Sequence, residues 1–158
     1  MEIGSEFQAS IEKIADSIQR QMESRAVRAS YELHKSAQLV LRGQRSGRRY
    51  KVPGTYRRQL DKTDGKVKRG RYYTASAPGE PPAVRTGAFR MSWQPSSRRV
   101  YGEYIARITS DLRTDNGKYN LGDVLENGTN RMAPRPFEEP IIKGAENRIN
   151  RIYSERYL

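Results

Sequence analysis

The chain has 158 residues, the size of one ordinary domain. Hydrophobic residues make up 35% and charged residues 30%, so the core is modest and we expect other copies to complete some of its apolar surface. No apolar run is long enough to cross a membrane and no signal peptide is recognised, which favours the cytoplasm or a particle assembled there. Cysteine is absent and His34 is the single histidine, so thiolate and histidine-cluster metal sites are excluded and no cofactor is expected.

A long helix over residues 1–42 is the first predicted element. Apolar residues recur through it at steps of three and four, with charged and amide side chains between them. The small residues Ala26 and Ala29 allow close helix approach, and Gly43 suits the stop. About 35 residues span roughly 50 Å, so we expect the excess length to pack against a neighbouring subunit. The alternative is a break near Ser24 into two helices.

Residues 43–74 are predicted to form a basic extended loop region. From Arg42 to Arg71, twelve Lys and Arg against two Asp leave a net charge of +10, nearly all of the +12 carried by the chain. Such clustering indicates contact with a polyanion, although a solvated surface loop has the same composition. The interleaved tyrosines, which suit base stacking or loop anchoring, are Tyr50, Tyr56, Tyr72 and Tyr73. The predicted phosphate contacts are Arg45, Arg48, Arg49, Lys66, Lys68 and Arg69.

The second half predicts a sheet region over residues 75–137 and a helix over residues 138–158. Val100–Ser110 alternates between two faces, the pattern of a half-buried strand, and a second element begins at Tyr119. Glu138 suits the positive end of the last helix. The order of helix, loop, strands and helix predicts a single α+β domain with a small antiparallel sheet.

Motifs typical of enzymes are not found. The sequence has no Ser, His and Asp set in a nucleophile context, no GxxxxGK[ST] and no HExxH. We therefore predict a protein that is not an enzyme. A basic metal-free nuclease using a tyrosine or His34 is the catalytic alternative.

The stretch ENGTNRMAPRPFEEPII, residues 126–142, has an unusual density of special backbone residues. Gly128 permits a sharp turn after a predicted strand, and Thr129 offers a hydroxyl to cap that turn. Pro134 and Pro136 hold the backbone extended and remove two amide donors. The segment thus predicts a rigid strand-to-helix connector that delivers Phe137 as an apolar anchor.

A second proline-rich stretch, SAPGEPPAVRTGAFRMSW, covers residues 76–93. Its PGEPP core predicts a stiff extended segment at a subunit or ring-to-ring contact, with Arg85 and Thr86 capping a short helix after it. An exposed linker is the alternative.

In this order and spacing, the two stretches resemble the neck proteins of tailed double-stranded DNA bacteriophages, the head-tail joining or tail-completion family. The resemblance covers about residues 75–152, and the long first helix is similar to the family's N-terminal helix. It implies a non-enzymatic virion component that forms a homo-oligomeric ring at the head-tail junction, on the path of the DNA. The implied assembly residues are Pro78, Gly79, Glu80, Pro81, Pro82, Gly128, Thr129, Pro134, Arg135, Pro136 and Phe137.

The resemblance also implies the partners. We expect a hexamer first and a dodecamer second, contacts to a head-closure or adaptor ring and to the tail tube or tail terminator, and non-specific contact with double-stranded DNA. The alternative from another class is a basic, sequence-independent RNA- or DNA-binding protein. RNP-type aromatics, a GxxG clamp and a helix-turn-helix signal are not recognised in the sequence, which disfavours that alternative.

Overall fold

The computed structural model of the protein describes residues 3–52 and 71–157, with side chains from residue 6 onward. β1 pairs antiparallel with β2, and β3 pairs antiparallel with β4. A long first helix, two small antiparallel sheets and a C-terminal helix confirm the predicted α+β class. The elements in chain order are α1 (Ile3–Val40), β1 (Arg49–Lys51), β2 (Tyr72–Thr74), α2 (Ala88–Met91), β3 (Gln94–Val100), β4 (Glu103–Thr109), α3 (Leu121–Asn127) and α4 (Glu138–Tyr153).

Residue contacts divide the described chain into two compact units. The first unit contains residues 3–36, the β3–β4 hairpin and residues 142–157. The second unit contains residues 37–52, 71–93 and 110–141. Each unit is therefore built from separate stretches of chain, and α1 and α4 each contribute to both.

Helix α1 is continuous. It runs for 38 residues through Ser24, so the prediction of one long helix is confirmed and the alternative of a break there is wrong. The helix ends at Val40, whose carbonyl accepts a hydrogen bond from Gly43 N at 3.3 Å. Gly43 thus lies where the sequence predicted the stop.

In the first unit, α1 packs against α4. Arg148 donates a hydrogen bond to Glu32 at 3.2 Å, and a Cβ atom added at Gly144 would collide with Oγ of Ser36. Ala26 and Ala29 are fully buried within the chain. The small residues predicted for a subunit contact are thus already covered by the protein itself, because α4 returns along this part of α1.

The predicted strand Val100–Ser110 is wrong at its start, because the turn of the β3–β4 hairpin lies there. Tyr101 (φ 49°) and Gly102 (φ 88°) are both left-handed and form a two-residue turn, so Val100 ends β3 instead of beginning the next strand. Along β4 the partly buried residues Tyr104 and Ala106 alternate with exposed ones, as the sequence predicted. The polar sequence of β3 carries no comparable alternation and was not predicted as a strand.

In the second unit, the element before the ENGTNRMAPRPFEEPII stretch is the helix α3, so the predicted strand is wrong there. Asn120 caps this helix: its side-chain oxygen accepts from Gly122 N at 2.8 Å, and its amide donates to Ser110 O at 3.0 Å. A capped first turn favours a helix over a strand even in a seven-residue element. The stretch is therefore a helix-to-helix connector.

Candidate assembly site and basic ribbon

The two proline-rich stretches lie side by side in the second unit. Gly79 N donates to Pro134 O at 3.1 Å, and the Arg135 guanidinium donates to the carbonyl and hydroxyl of Ser76. Arg135 N also donates to Leu125 O at 2.8 Å, which ties the pair to the end of α3. We call residues 76–82 and 128–137 together the proline junction. Sequence order separates its halves by about fifty residues, and the fold joins them.

Arg45 ties the proline junction to the end of α1. Its Nη2 donates to Val40 O at 2.7 Å and to Pro82 O at 3.1 Å, and its Nη1 donates to Gln44 O at 2.8 Å. The side chain is half-buried, and this burial lowers the pKa of Arg45, while the charge of Glu80 raises it. A guanidinium shared by several carbonyls has few donors left for DNA, so the structure gives Arg45 a structural role. Its predicted phosphate contact stays a prediction.

Glu80 fixes the turn of the PGEPP core from the other side. Its carboxylate accepts from Ser46 Oγ at 2.6 Å, from Ser46 N at 3.1 Å and from Ala77 N at 2.9 Å. These hydrogen bonds, the one from the Ser46 hydroxyl first, lower the pKa of Glu80 from 4.5 to about 2, because they favour the charged form. Glu80 is therefore held inside the protein's own hydrogen-bond network.

We expect Glu80→Gln to be less stable than the wild type at neutral pH, with the difference shrinking in acid. A carboxylate whose pKa falls on folding stabilises the fold above its unfolded pKa of 4.5, and this contribution is lost progressively as the pH falls through about 2. Urea unfolding of both proteins from pH 7 to pH 2 measures the difference. A gap that stays constant over this range would contradict the assigned hydrogen bonds.

Phe137 is the apolar anchor of the proline junction. It is fully buried, and its ring meets Phe89 at 5.4 Å and Trp93 at 5.7 Å between centroids, both edge to face. The predicted anchor is thus buried within its own chain. Phe137 N donates to a Glu126 carboxylate oxygen at 2.8 Å, so a side chain from α3 caps the start of α4.

Gly128 and Thr129 shape the turn that leads into the proline junction. Gly128 has φ 74°, and a Cβ there would lie 2.6 Å from Met132 O and 2.8 Å from Pro134 N. Only glycine avoids both the left-handed strain and the backbone collision. Thr129 pairs with Met132 in a short bridge, and its hydroxyl accepts from Arg131 N at 3.2 Å, which is the turn cap that the sequence predicted.

The short helix α2 follows the PGEPP core as expected. Thr86 Oγ1 accepts a hydrogen bond from Ala88 N at 3.2 Å, so the capping predicted for Thr86 is present. Gly87 between them has φ 89°. Within the part of the chain that the structure describes, Arg85 makes no such hydrogen bond to α2. The helix positions Phe89 against Phe137.

Strands β1 and β2 form a second feature of this unit, which we call the basic ribbon. Arg49 pairs with Thr74, Tyr50 with Tyr73, and Lys51 with Tyr72. Gly47 N donates to Ala75 O and Val52 N donates to Arg71 O, which extends the antiparallel pairing at both ends. The predicted basic loop therefore begins and ends in paired strands.

Arginines and tyrosines interleave on both faces of the basic ribbon. The Arg48 guanidinium lies 5.7 Å from the Tyr50 ring, and that of Arg49 lies 4.5 Å from the Tyr72 ring. Tyr50 and Tyr73 stack at 5.9 Å. Tyr50 and Tyr72 are exposed, as are Arg48 and Arg49. Charged and aromatic side chains therefore face solvent side by side. This arrangement can contact phosphate and stack on bases.

The predicted phosphate contacts divide into three groups. Arg48 and Arg49 lie exposed on the basic ribbon. Arg45 is engaged with backbone carbonyls, as described above. Lys66, Lys68 and Arg69, together with Tyr56, lie outside the described residues.

Sequence reasoning missed three side chains that build the proline junction: Ser46, Ser76 and Glu126. Each acts on a partner eleven or more residues away, so no local pattern marks it. Of the three, Glu126 leaves the clearest trace in the sequence, because α4 begins without a conventional capping residue before Glu138 and needs a cap from elsewhere. Its capping role required knowing that α3 precedes the turn.

The resemblance to a family rests on the two proline-rich stretches alone. Comparisons with protein-family models, curated proteins and solved structures found no match for the chain. Within residues 3–52 and 71–157, no group of three or more His, Cys, Asp or Glu is arranged to hold a metal ion. In the same described part of the chain, no helix combines the length and apolarity that crossing a membrane requires.

Proposed function

We propose that the protein is a structural component of a bacteriophage neck, forming a ring that joins the tail to the DNA-filled head around the DNA exit channel. The observation that carries the proposal is the proline junction. The two stretches that resemble the neck family are built into one hydrogen-bonded unit, through Gly79, Pro134, Arg135 and Ser76. The two stretches that carry the resemblance thus belong to one structure.

The free end of α1 supports self-association. Phe7, Ile11 and Ile14 follow one another at helical spacing and are 67%, 50% and 57% exposed. An apolar stripe of this kind marks a contact surface. A head-to-tail contact between copies closes into a ring without leaving sticky ends. Six copies are proposed first and twelve second, and the virion neck is the proposed location, after assembly in the host cytoplasm.

The basic ribbon supports a role on the DNA path. DNA in a neck must be held near the exit and still slide at ejection, which suits phosphate contacts that are weak, salt-dependent and independent of sequence. The segment from Arg42 to Arg71 carries +10 per chain, so six copies would bring about +60 to the channel. The same ribbon also favours the second candidate, a basic nucleic-acid-binding protein without a ring.

Joining of heads and tails tests the proposal. Particles made without this protein are expected to accumulate as DNA-filled heads and complete tails that do not join, and the purified protein should restore joining in the mixed extract. Normal particles in its absence would contradict the neck assignment. If the purified protein binds nucleic acid but does not restore joining, the second candidate is favoured.

A further inference from the structure

A basic concavity lies in the first unit, whereas the proline junction and the basic ribbon belong to the second. It has a volume of about 470 Å³ and lies between the middle of α1 and the segment that follows α4. Its uncharged lining residues, Ser17, Gln21 and Ser24, carry hydroxyl or amide donors. Its charged lining residues are Arg20, Arg25, Arg28, Arg156 and Glu155.

The charges of this concavity are unbalanced. Glu155 is its single carboxylate and is already engaged: Arg28 Nη1 donates to Oε1 at 2.8 Å and Nη2 donates to Oε2 at 2.5 Å. Four guanidinium groups and one carboxylate leave a net charge of +3. Arg20, Arg25 and Arg156 therefore face the concavity without a carboxylate of their own in its lining.

Arg25 is the buried cation of this concavity. The residue is only 2% exposed, and its Nη2 donates to the carbonyls of Glu155 and Arg156 at 2.6 and 3.1 Å. The guanidinium lies 3.8 Å from the centre of the Tyr157 ring, which fixes its plane. Among the described residues, its Nη1 has no hydrogen-bond partner. A buried donor of a charged group without a partner is costly, so this guanidinium in the wall of the concavity keeps an unmet demand for an acceptor.

We propose that this concavity is a phosphate-binding site. Phosphate fits better than a carboxylate because it carries about −1.5 to −2 charges at pH 7 and three or more acceptor oxygens, which matches an excess of three cations. Guanidinium forks bind such oxygens in pairs, and the serine and glutamine donors complete the shell. The free anion carries this charge, whereas a phosphodiester of nucleic acid carries a single negative charge on two non-bridging oxygens and is the second source to be tested. The site does not depend on the proposed ring.

Calorimetric titration of the full chain with inorganic phosphate, at constant ionic strength, tests the proposal. The variant is Arg20→Gln with Arg156→Gln, since both residues are exposed and we expect their replacement to leave the fold intact. The matched control is Arg98→Gln with Arg151→Gln, which removes the same charge from exposed positions of the same unit outside the lining. We expect saturable binding that weakens at least tenfold in the variant and stays unchanged in the control.

Absence of saturable binding to the wild type, or equal weakening in variant and control, would overturn the site. A repeat with a 20-base-pair duplex present identifies the source of the phosphate. Competition by the duplex supports the site as one for phosphodiesters, and its absence supports it as one for the free anion. Because neither titration requires a ring or a tail, failure here leaves the neck proposal standing, and failure of the neck proposal leaves this site standing.

Discussion

Phe137→Ala is expected to lower the free energy of unfolding by about 3 to 5 kcal/mol. The ring is fully buried and meets Phe89 and Trp93 edge to face, so its removal leaves a cavity between two aromatic side chains. Chemical denaturation of the purified protein measures the loss. In particles, the same variant is expected to give filled heads and separate tails that fail to join, because the proline junction loses its anchor.

The matched control is Leu39→Ala, which lies outside the stripe of Phe7, Ile11 and Ile14. This leucine is 59% exposed on α1, so its truncation should change the free energy of unfolding by well under about 1 kcal/mol. If Phe137→Ala unfolds at the same denaturant concentration as the wild type, and heads and tails carrying it join normally, the anchor interpretation is wrong. If Leu39→Ala unfolds as easily as Phe137→Ala, truncation of any large apolar side chain destabilises the protein and Phe137 has no special part.

The second large effect concerns DNA. Replacing Arg48 and Arg49 by glutamine is expected to weaken binding to a non-specific duplex by about ten- to a hundredfold at 0.1 M salt, and to reduce the slope of log K against log salt by about 2. Each lost phosphate contact removes about 0.9 from that slope for duplex DNA. Fluorescence anisotropy over a salt series provides both numbers, and the loss should be the same for unrelated sequences.

Arg98→Gln with Arg99→Gln is the control for this experiment. These two residues are exposed neighbours on a strand of the first unit, and Arg99 lies 5.7 Å from the Tyr104 ring, as Arg48 does from Tyr50. The control removes the same charge from an equivalent setting outside the basic ribbon. Equal weakening by both pairs would mean that net charge alone binds the duplex and that the ribbon has no special part.

The two long helices were predictable because their apolar residues repeat with helical spacing over many turns. In α4, the buried residues Ile141 and Ala145 lie four positions apart and therefore share one face of the helix. Short elements were not predictable in this way. Seven residues of α3 contain too few turns to show a period, and its helical start depends on the Asn120 cap. The turn at Tyr101 and Gly102 was missed because tyrosine rarely adopts positive φ.

The candidate site was predictable only in its parts. Prolines and glycines marked Gly128, Phe137 and the PGEPP core as special, because their backbone chemistry is local. Their union in the proline junction depends on long-range hydrogen bonds, such as that from Gly79 N to Pro134 O. Charge clustering marked the basic segment as a whole, but composition does not separate Arg45, which binds carbonyls, from the exposed Arg48.

Negative-stain electron microscopy of the purified full chain tests the ring directly. The neck proposal predicts closed rings of uniform diameter with a central opening, with sixfold symmetry in the class averages. Replacing Phe7, Ile11 and Ile14 by serine should disperse the rings while leaving the helical content measured by circular dichroism nearly unchanged. A wild-type protein that stays monomeric at high concentration, in low and in physiological salt, and shows no rings would contradict the central claim.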